Sequence, residues 1–166
     1  MKKLILIGGT MGVGKTTVSQ KLMKELDHSV FLDGDWCWNM HPFVVNDETK
    51  EMVMDNICYV LNNFIHCHSY DNIIFCWVMH EQMIIDNLLK RLDTKECEVY
   101  CISLVCSLEQ LTKQIQNDID LKIREKDVLE RSLNRLSLYQ SLNTIKIDTS
   151  NLKINEIILK IKEVIS

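Results

Sequence analysis

Gly9-Thr10-Met11-Gly12-Val13-Gly14-Lys15-Thr16 is the stretch whose reading decides the fold. It matches in full the pattern of a glycine, four residues, a second glycine, a lysine and a hydroxyl residue. Before it, residues 2–7 carry the apolar run Leu4, Ile5, Leu6 and Ile7, which reads as a buried strand cut off by Gly8. After it, residues 15–26 place Val18, Leu22, Met23 and Leu26 on one helical stripe. Strand, glycine-rich loop, helix is the setting in which this motif binds polyphosphate. The loop turns backbone N–H groups inward, and the helix N-terminus adds partial positive charge. Lys15 adds a point charge for the β- and γ-phosphates, and the Thr16 hydroxyl is placed to ligate Mg²⁺.

The rest of the chain repeats the alternation. Strands are expected over residues 2–7, 30–32, 72–78, 98–106 and 144–147. Helices are expected over 15–26, 47–66, 81–92, 107–118, 128–142 and 154–165. Asn46 or Asp47 is positioned to cap the second helix, and Ser107 with Gln110 has capping-box spacing. Strands that are apolar throughout are covered on both faces, so the fold class is α/β, a three-layer arrangement with a five-stranded parallel sheet. Ligands of such sheets sit beyond the carboxyl ends of the strands. One domain accounts for all 166 residues. All five glycines lie at or before position 34, so the early ones serve backbone geometry or the close approach of a ligand.

Composition narrows the function classes. Hydrophobic residues make up 46% and charged residues 25%, an ordinary globular balance. The net charge of −4 argues against nucleic acid as the main partner. No apolar run is long enough to span a bilayer, and no secretion signal is expected, which points to the cytoplasm. Seven cysteines, an odd number with no Cys-x-x-Cys pair, are expected to be reduced and structural.

At the second strand end, Asp33-Gly34-Asp35 sets two carboxylates beside the phosphate site, suited to a Mg²⁺ shell and a general base. An ordinary acidic turn is the alternative. The two carboxylates are expected to do different jobs. Residues 73–78 offer no Asp at the end of strand three, which argues against motor ATPases and most regulatory NTPases. Arg124, Arg131 and Arg135 cluster within twelve residues, and the last two are helical neighbours at i and i+4. Arginines in this place can stabilise a transferring phosphoryl group, and a charged lid is expected at approximately residues 118–131, with residues 119–127 mobile until ligands bind. The alternative is a solvated helix face. Trp36, Trp38 and Phe43 are candidate walls of an acceptor pocket, and His80, just past strand three, is a candidate acceptor contact. His66-Cys67-His68 has the composition of a metal cluster but the wrong helical geometry for one.

These three elements together resemble the nucleoside monophosphate kinase-like branch of P-loop proteins. That branch includes adenylate, shikimate, gluconate and adenylylsulfate kinases and the chloramphenicol and tunicamycin resistance proteins. The pattern covers nearly the whole chain, and its most specific part is the P-loop. The resemblance implies a P-loop NTPase fold with strand order 2-3-1-4-5 and a helical lid. It implies ATP and Mg²⁺, with ATP along Gly9, Thr10, Met11, Gly12, Val13, Gly14, Lys15, Thr16 and Thr17. It implies Asp33 near the Mg²⁺ waters, Asp35 on the acceptor hydroxyl, and Asp148, Thr149 and Ser150 beside the adenine. Lys15, Asp35, Arg124 and Arg131 would then be catalytic, and Asp35, Trp36, Trp38 and His80 would bind the acceptor. One departure bears on substrate: no arginine lies between Thr17 and Lys90, where nucleoside monophosphate kinases usually grip the acceptor phosphate. The expected activity is transfer of a phosphoryl group from Mg·ATP to a small-molecule hydroxyl. A nucleotide kinase, or a nucleotide-binding regulator with slow or no hydrolysis, is the alternative.

Overall fold

The computed structural model describes residues 1–122 and 127–166. Five strands, β1 (Lys2–Gly8), β2 (Ser29–Asp33), β3 (Asn72–Cys76), β4 (Cys97–Val105) and β5 (Ile145–Asp148), form one sheet in the order β2-β3-β1-β4-β5, with every pairing parallel. The described residues also form α1 (Lys15–Glu25), α2 (Asp47–His66), α3 (Gln82–Arg91), α4 (Leu108–Asp120), α5 (Asp127–Leu136) and α6 (Ile154–Ile165). This is the doubly covered parallel sheet that the apolar strands imply.

The period of two along β1 divides the core. Ile5 and Ile7 face one layer with Leu22, Ile74, Ile102, Ile157 and Ile161. Leu4 and Leu6 face the other with Val53, Ile57, Leu61, Phe75 and Leu88. Residues on successive positions of a strand point to opposite faces, so a run of four apolar residues supplies both layers at once. β1 lies in the middle of the sheet, pairing with β3 and β4, and its end therefore feeds the phosphate loop into the centre of the ligand edge.

Local chemistry sets the element ends. Asn46 caps α2: its side chain accepts from Thr49 N–H at 2.8 Å, and its own N–H donates to Thr49 Oγ1 at 3.0 Å. Ser107 Oγ accepts from Gln110 N–H at 3.2 Å at the start of α4. Several boundaries differ from the sequence expectation. β3 ends at Cys76, not residue 78, and the backbone then turns through Met79, whose φ is 34°. The helix expected over 128–142 ends at Leu136 and tightens into a 3₁₀ turn, Ser137–Ser141. The cause is Tyr139, fully buried, which must swing inward to donate its hydroxyl to the Val78 carbonyl.

A second 3₁₀ turn, Gly34–Trp38, follows β2 directly. The expected lid region, about 118–131, falls on the end of α4 and the start of α5. α4 continues to Asp120, where Gln116 Nε2 donates to Asp120 Oδ1 at 2.8 Å. Arg124 and its neighbours at 123–126 lie outside the described residues.

All seven cysteines are free. Burial pushes the Cys76 thiol up to about 12 and Cys106 up to about 11, so both are protonated and unreactive at neutral pH. His66 Nε2 lies 3.3 Å from Asp93, and among the described residues no group of three metal-ligating side chains converges. None of the described helices is long and apolar enough to cross a membrane.

Candidate active site

The phosphate loop closes over the end of β1. Gly12 has φ of 85°, and a Cβ there would stand 2.6 Å from Ile115 Cγ1 of α4, so both backbone and space demand glycine. Thr10 is fully buried and donates its hydroxyl to the Ser132 carbonyl at 2.9 Å, tying the loop to α5. Tyr139 ties it a second time. Besides donating to Val78, its hydroxyl takes a backbone hydrogen bond from Gly9. Burial pushes the Tyr139 phenol well above its ordinary range, so the hydroxyl keeps its proton and its donor role. Lys15 is buried, its ammonium donating to the Thr10 carbonyl at 3.1 Å, inside the loop that would surround the phosphates.

Asp33 and Asp35, two positions apart, would share a face in an extended segment, and the turn that follows β2 separates them. Asp33 ends β2 and is 4% exposed; one carboxylate oxygen accepts from Thr16 Oγ1 at 2.6 Å, the other from Asp35 N–H at 3.0 Å. That second bond caps the 3₁₀ turn and rotates Asp35 away from the phosphate-loop threonine and toward a neighbouring cavity. Thr16 and Asp33 thus form an all-oxygen pair at the loop, the donor chemistry a hard divalent cation prefers.

The cavity, about 1080 Å³, opens beside the phosphate loop. Met11 belongs to both. Asp35, Trp36 and Trp38 line it from the 3₁₀ turn, Trp77, Met79 and His80 from the end of β3, and Arg131 and Arg135 from α5. Trp36 is 55% exposed and meets Phe31 edge-on at 5.4 Å; Trp38 lies 5.9 Å from Phe43. His80 is held below the ordinary histidine value, first by burial and then by the positive Arg135, and its Nε2 lies 3.4 Å from Glu81. Asp35, Trp36, Trp38, His80 and Arg131 are therefore gathered at one place from distant parts of the chain.

Asp148 and Thr149 stand apart from this cavity at the end of β5. Ser150 donates to Asp148 through both its N–H, at 2.9 Å, and its hydroxyl, at 2.6 Å, and these bonds hold the carboxyl below its usual range. Thr149 is buried, with its N–H and hydroxyl both donating to the Val105 carbonyl at 2.8 and 3.1 Å. Thr149 thus closes the β4–β5 edge.

Sequence reasoning missed Trp77 as a wall of the cavity and Tyr139 and Ser132 as anchors of the loop. Trp77 carried a signal: it is a large aromatic at the ligand end of a buried strand. It packs where a Cβ at Gly34 would lie 2.6 Å from its ring, so Gly34 is needed to admit the indole. Tyr139 and Ser132 carried none, since their partners are 130 and 122 residues away in sequence for Gly9 and Thr10 respectively.

A central parallel sheet, a complete phosphate loop and a flanking cavity define the P-loop nucleoside triphosphatase class. Residues 5–133 match AAA_18, an AAA domain, and the chain belongs to that family. A comparison with curated proteins finds no match. Similar solved structures include the tunicamycin resistance protein of Deinococcus radiodurans, with a TM-score of 0.70 at 18% identity, covering 100% of this chain and 96% of that one. A gluconokinase from Sinorhizobium meliloti 1021 gives 0.69 at 14% identity, with 98% and 95% covered. The shikimate kinase of Acinetobacter baumannii, in complex with shikimate, gives 0.66 at 22%, with 99% and 93% covered. The shared fold is that of P-loop kinases.

Proposed function

We propose that this protein transfers the γ-phosphoryl group of Mg·ATP to a hydroxyl of a small molecule. The observation that carries this reading is the meeting of an acidic side chain, Asp35, and two arginines, Arg131 and Arg135, in one cavity beside a complete phosphate loop. ATP lies along residues 9–17, with Lys15 reaching its terminal phosphates and Asp148 and Thr149 at the base end. Thr16 and Asp33 fit a Mg²⁺ ion bound with the nucleotide, which neutralises charge on the β- and γ-phosphates. Asp35 accepts the proton of the acceptor hydroxyl as that oxygen forms its bond to the γ-phosphorus. The bond from the γ-phosphorus to the β,γ-bridging oxygen breaks, and ADP leaves. Lys15 and Arg131, with Arg124, stabilise charge on the transferring group. Trp36, Trp38 and His80 hold the acceptor.

The paired arginines favour a second reading, in which they grip the phosphate of a nucleoside monophosphate acceptor. A coupled ADP-release assay over a panel of hydroxyl compounds and nucleoside monophosphates tests both. Acceptor-stimulated turnover that Asp35→Asn removes is expected; slow ADP release that no acceptor stimulates would instead fit a regulatory NTPase.

A further inference from the structure

The cavity beside the phosphate loop is unevenly polar, and its polar side chains are mostly committed. Arg91 holds Glu51 through hydrogen bonds and an ion pair at 2.8 Å, and its Nε donates to Asn87 at 3.0 Å, so those two wall residues are turned to a neighbour. Lys50 lies 3.6 Å from Asp47, a second wall pair that neutralises itself. Arg131 and Arg135 line it from α5, the helix that Thr10 ties to the phosphate loop through the Ser132 carbonyl. His80 adds a buried Nδ1 that has no hydrogen-bond partner among the described residues.

Apart from Asp35 and Asn39, the other lining side chains are aromatic or apolar. Trp77 is tilted against Phe75, with ring centres 6.5 Å apart, and packs against Gly34, where a Cβ would lie 2.6 Å from its ring. Trp38 and Phe43 form a tilted pair in the same lining, and Met54 and Met79 join them. A polyol acceptor needs a hydrogen-bonding partner for nearly every hydroxyl it buries, because each unpaired one costs free energy. This wall does not supply them. The cavity's volume of about 1080 Å³ also lies just above the ~300–1,000 Å³ typical of small-molecule pockets, far more than a monosaccharide fills.

Resting on the phosphotransferase reading, we infer that the acceptor is an alcohol with an aromatic or similarly apolar ring body and few hydroxyls, seated between Trp38 and Trp77. One hydroxyl reaches Asp35, and one further polar atom reaches His80. The aromatic walls supply flat faces for stacking, and the methionines adapt to an irregular outline.

The test uses the full chain saturated with Mg·ADP and four probes: 1-naphthalenemethanol, 2-phenylethanol, D-gluconate and thymidine monophosphate. Binding is read by calorimetry, and phosphoryl transfer from Mg·ATP is read separately by ³¹P NMR. The expected result is that the two aromatic alcohols bind at least ~10-fold more tightly than D-gluconate or the nucleotide, a difference the tryptophan faces can supply. Trp77→Ala is expected to weaken them by about the same factor; should it fail to fold, Trp38→Ala makes the same test. Tight binding and phosphorylation of D-gluconate or thymidine monophosphate, with the aromatic alcohols excluded, would overturn the inference and leave the kinase reading standing. Binding of none of the probes would also overturn it. Aromatic alcohols that bind tightly without any phosphoryl transfer would support the cavity's preference and overturn the kinase reading beneath it.

Discussion

The phosphate loop and the cavity beside it are neighbours built on opposite principles. The loop is one contiguous octapeptide, and its polar side chains are tied down: buried Thr10 to the Ser132 carbonyl, buried Lys15 to the Thr10 carbonyl, and exposed Thr16 to Asp33. The cavity is assembled from the 3₁₀ turn after β2, α2, the end of β3, α3 and α5, and its walls are side chains, several of them exposed. A charged polyphosphate is a constant ligand that backbone dipoles can recognise. A variable acceptor is met by side chains that can differ without disturbing the sheet. The nucleotide end should therefore respond sharply and uniformly to substitution, and the acceptor end selectively.

Lys15→Ala should give the largest effect, loss of ATP binding and turnover with the fold kept. Equilibrium nucleotide binding with circular dichroism checks it, and unchanged affinity and turnover would remove the loop from its role. Asp35→Asn comes next. It should retain ATP and Mg²⁺ binding yet lose roughly 10²–10⁴-fold in acceptor phosphorylation, the usual range for a general base. Asp33→Asn should act more mildly, raising the Mg²⁺ requirement with partial rescue by added metal. Turnover measured against Mg²⁺ concentration separates the two; rescue of Asp35→Asn but not Asp33→Asn would reverse the roles.

Tyr139→Phe tests the joint between the two regions. It leaves the Val78 carbonyl and the Gly9 N–H without their shared partner, and the loss should be about 1–3 kcal/mol of stability by denaturant unfolding. An unchanged unfolding midpoint would mean the hydroxyl does not anchor the loop. The smallest effect concerns His80. Its folded-state pKa is depressed by burial and by Arg135, so the unfolded chain binds the proton more readily. Stability from this group is thus present at neutral pH and falls as pH drops through the ordinary histidine value of about 6.5. His80→Gln should flatten the thermal midpoint between pH 7 and 5 relative to the parent; an identical slope would contradict the depressed pKa.

Much of this was legible in the residues. The octapeptide at 9–16 named the loop, and the apolar runs at 4–7 and 73–78 announced strands covered on both faces. Arg131 and Arg135 could be set on one face by their spacing, and both do line the same cavity. The Asp33–Asp35 division was legible only as a contrast. Its cause, the Asp33 carboxylate capping a 3₁₀ turn, breaks the extended geometry that would have set both carboxylates on one face. The break in the helix expected over 128–142 was not legible, because helix periodicity carries no sign that Tyr139 has a carbonyl to reach.

The sequence by itself determined the sheet, the phosphate loop and the chemical types available at its edge, because short-range periodicity and backbone demands are written locally. Tertiary structure alone decided which of those groups meet. Trp77 enters the cavity because Gly34, 43 positions earlier, leaves room for its ring. Arg131 and Arg135 reach it because Thr10 and Tyr139 fasten their helix and the turn that follows it to the loop. Such contacts join elements far apart in the chain, so they depend on how the layers pack and not on any pattern within one segment.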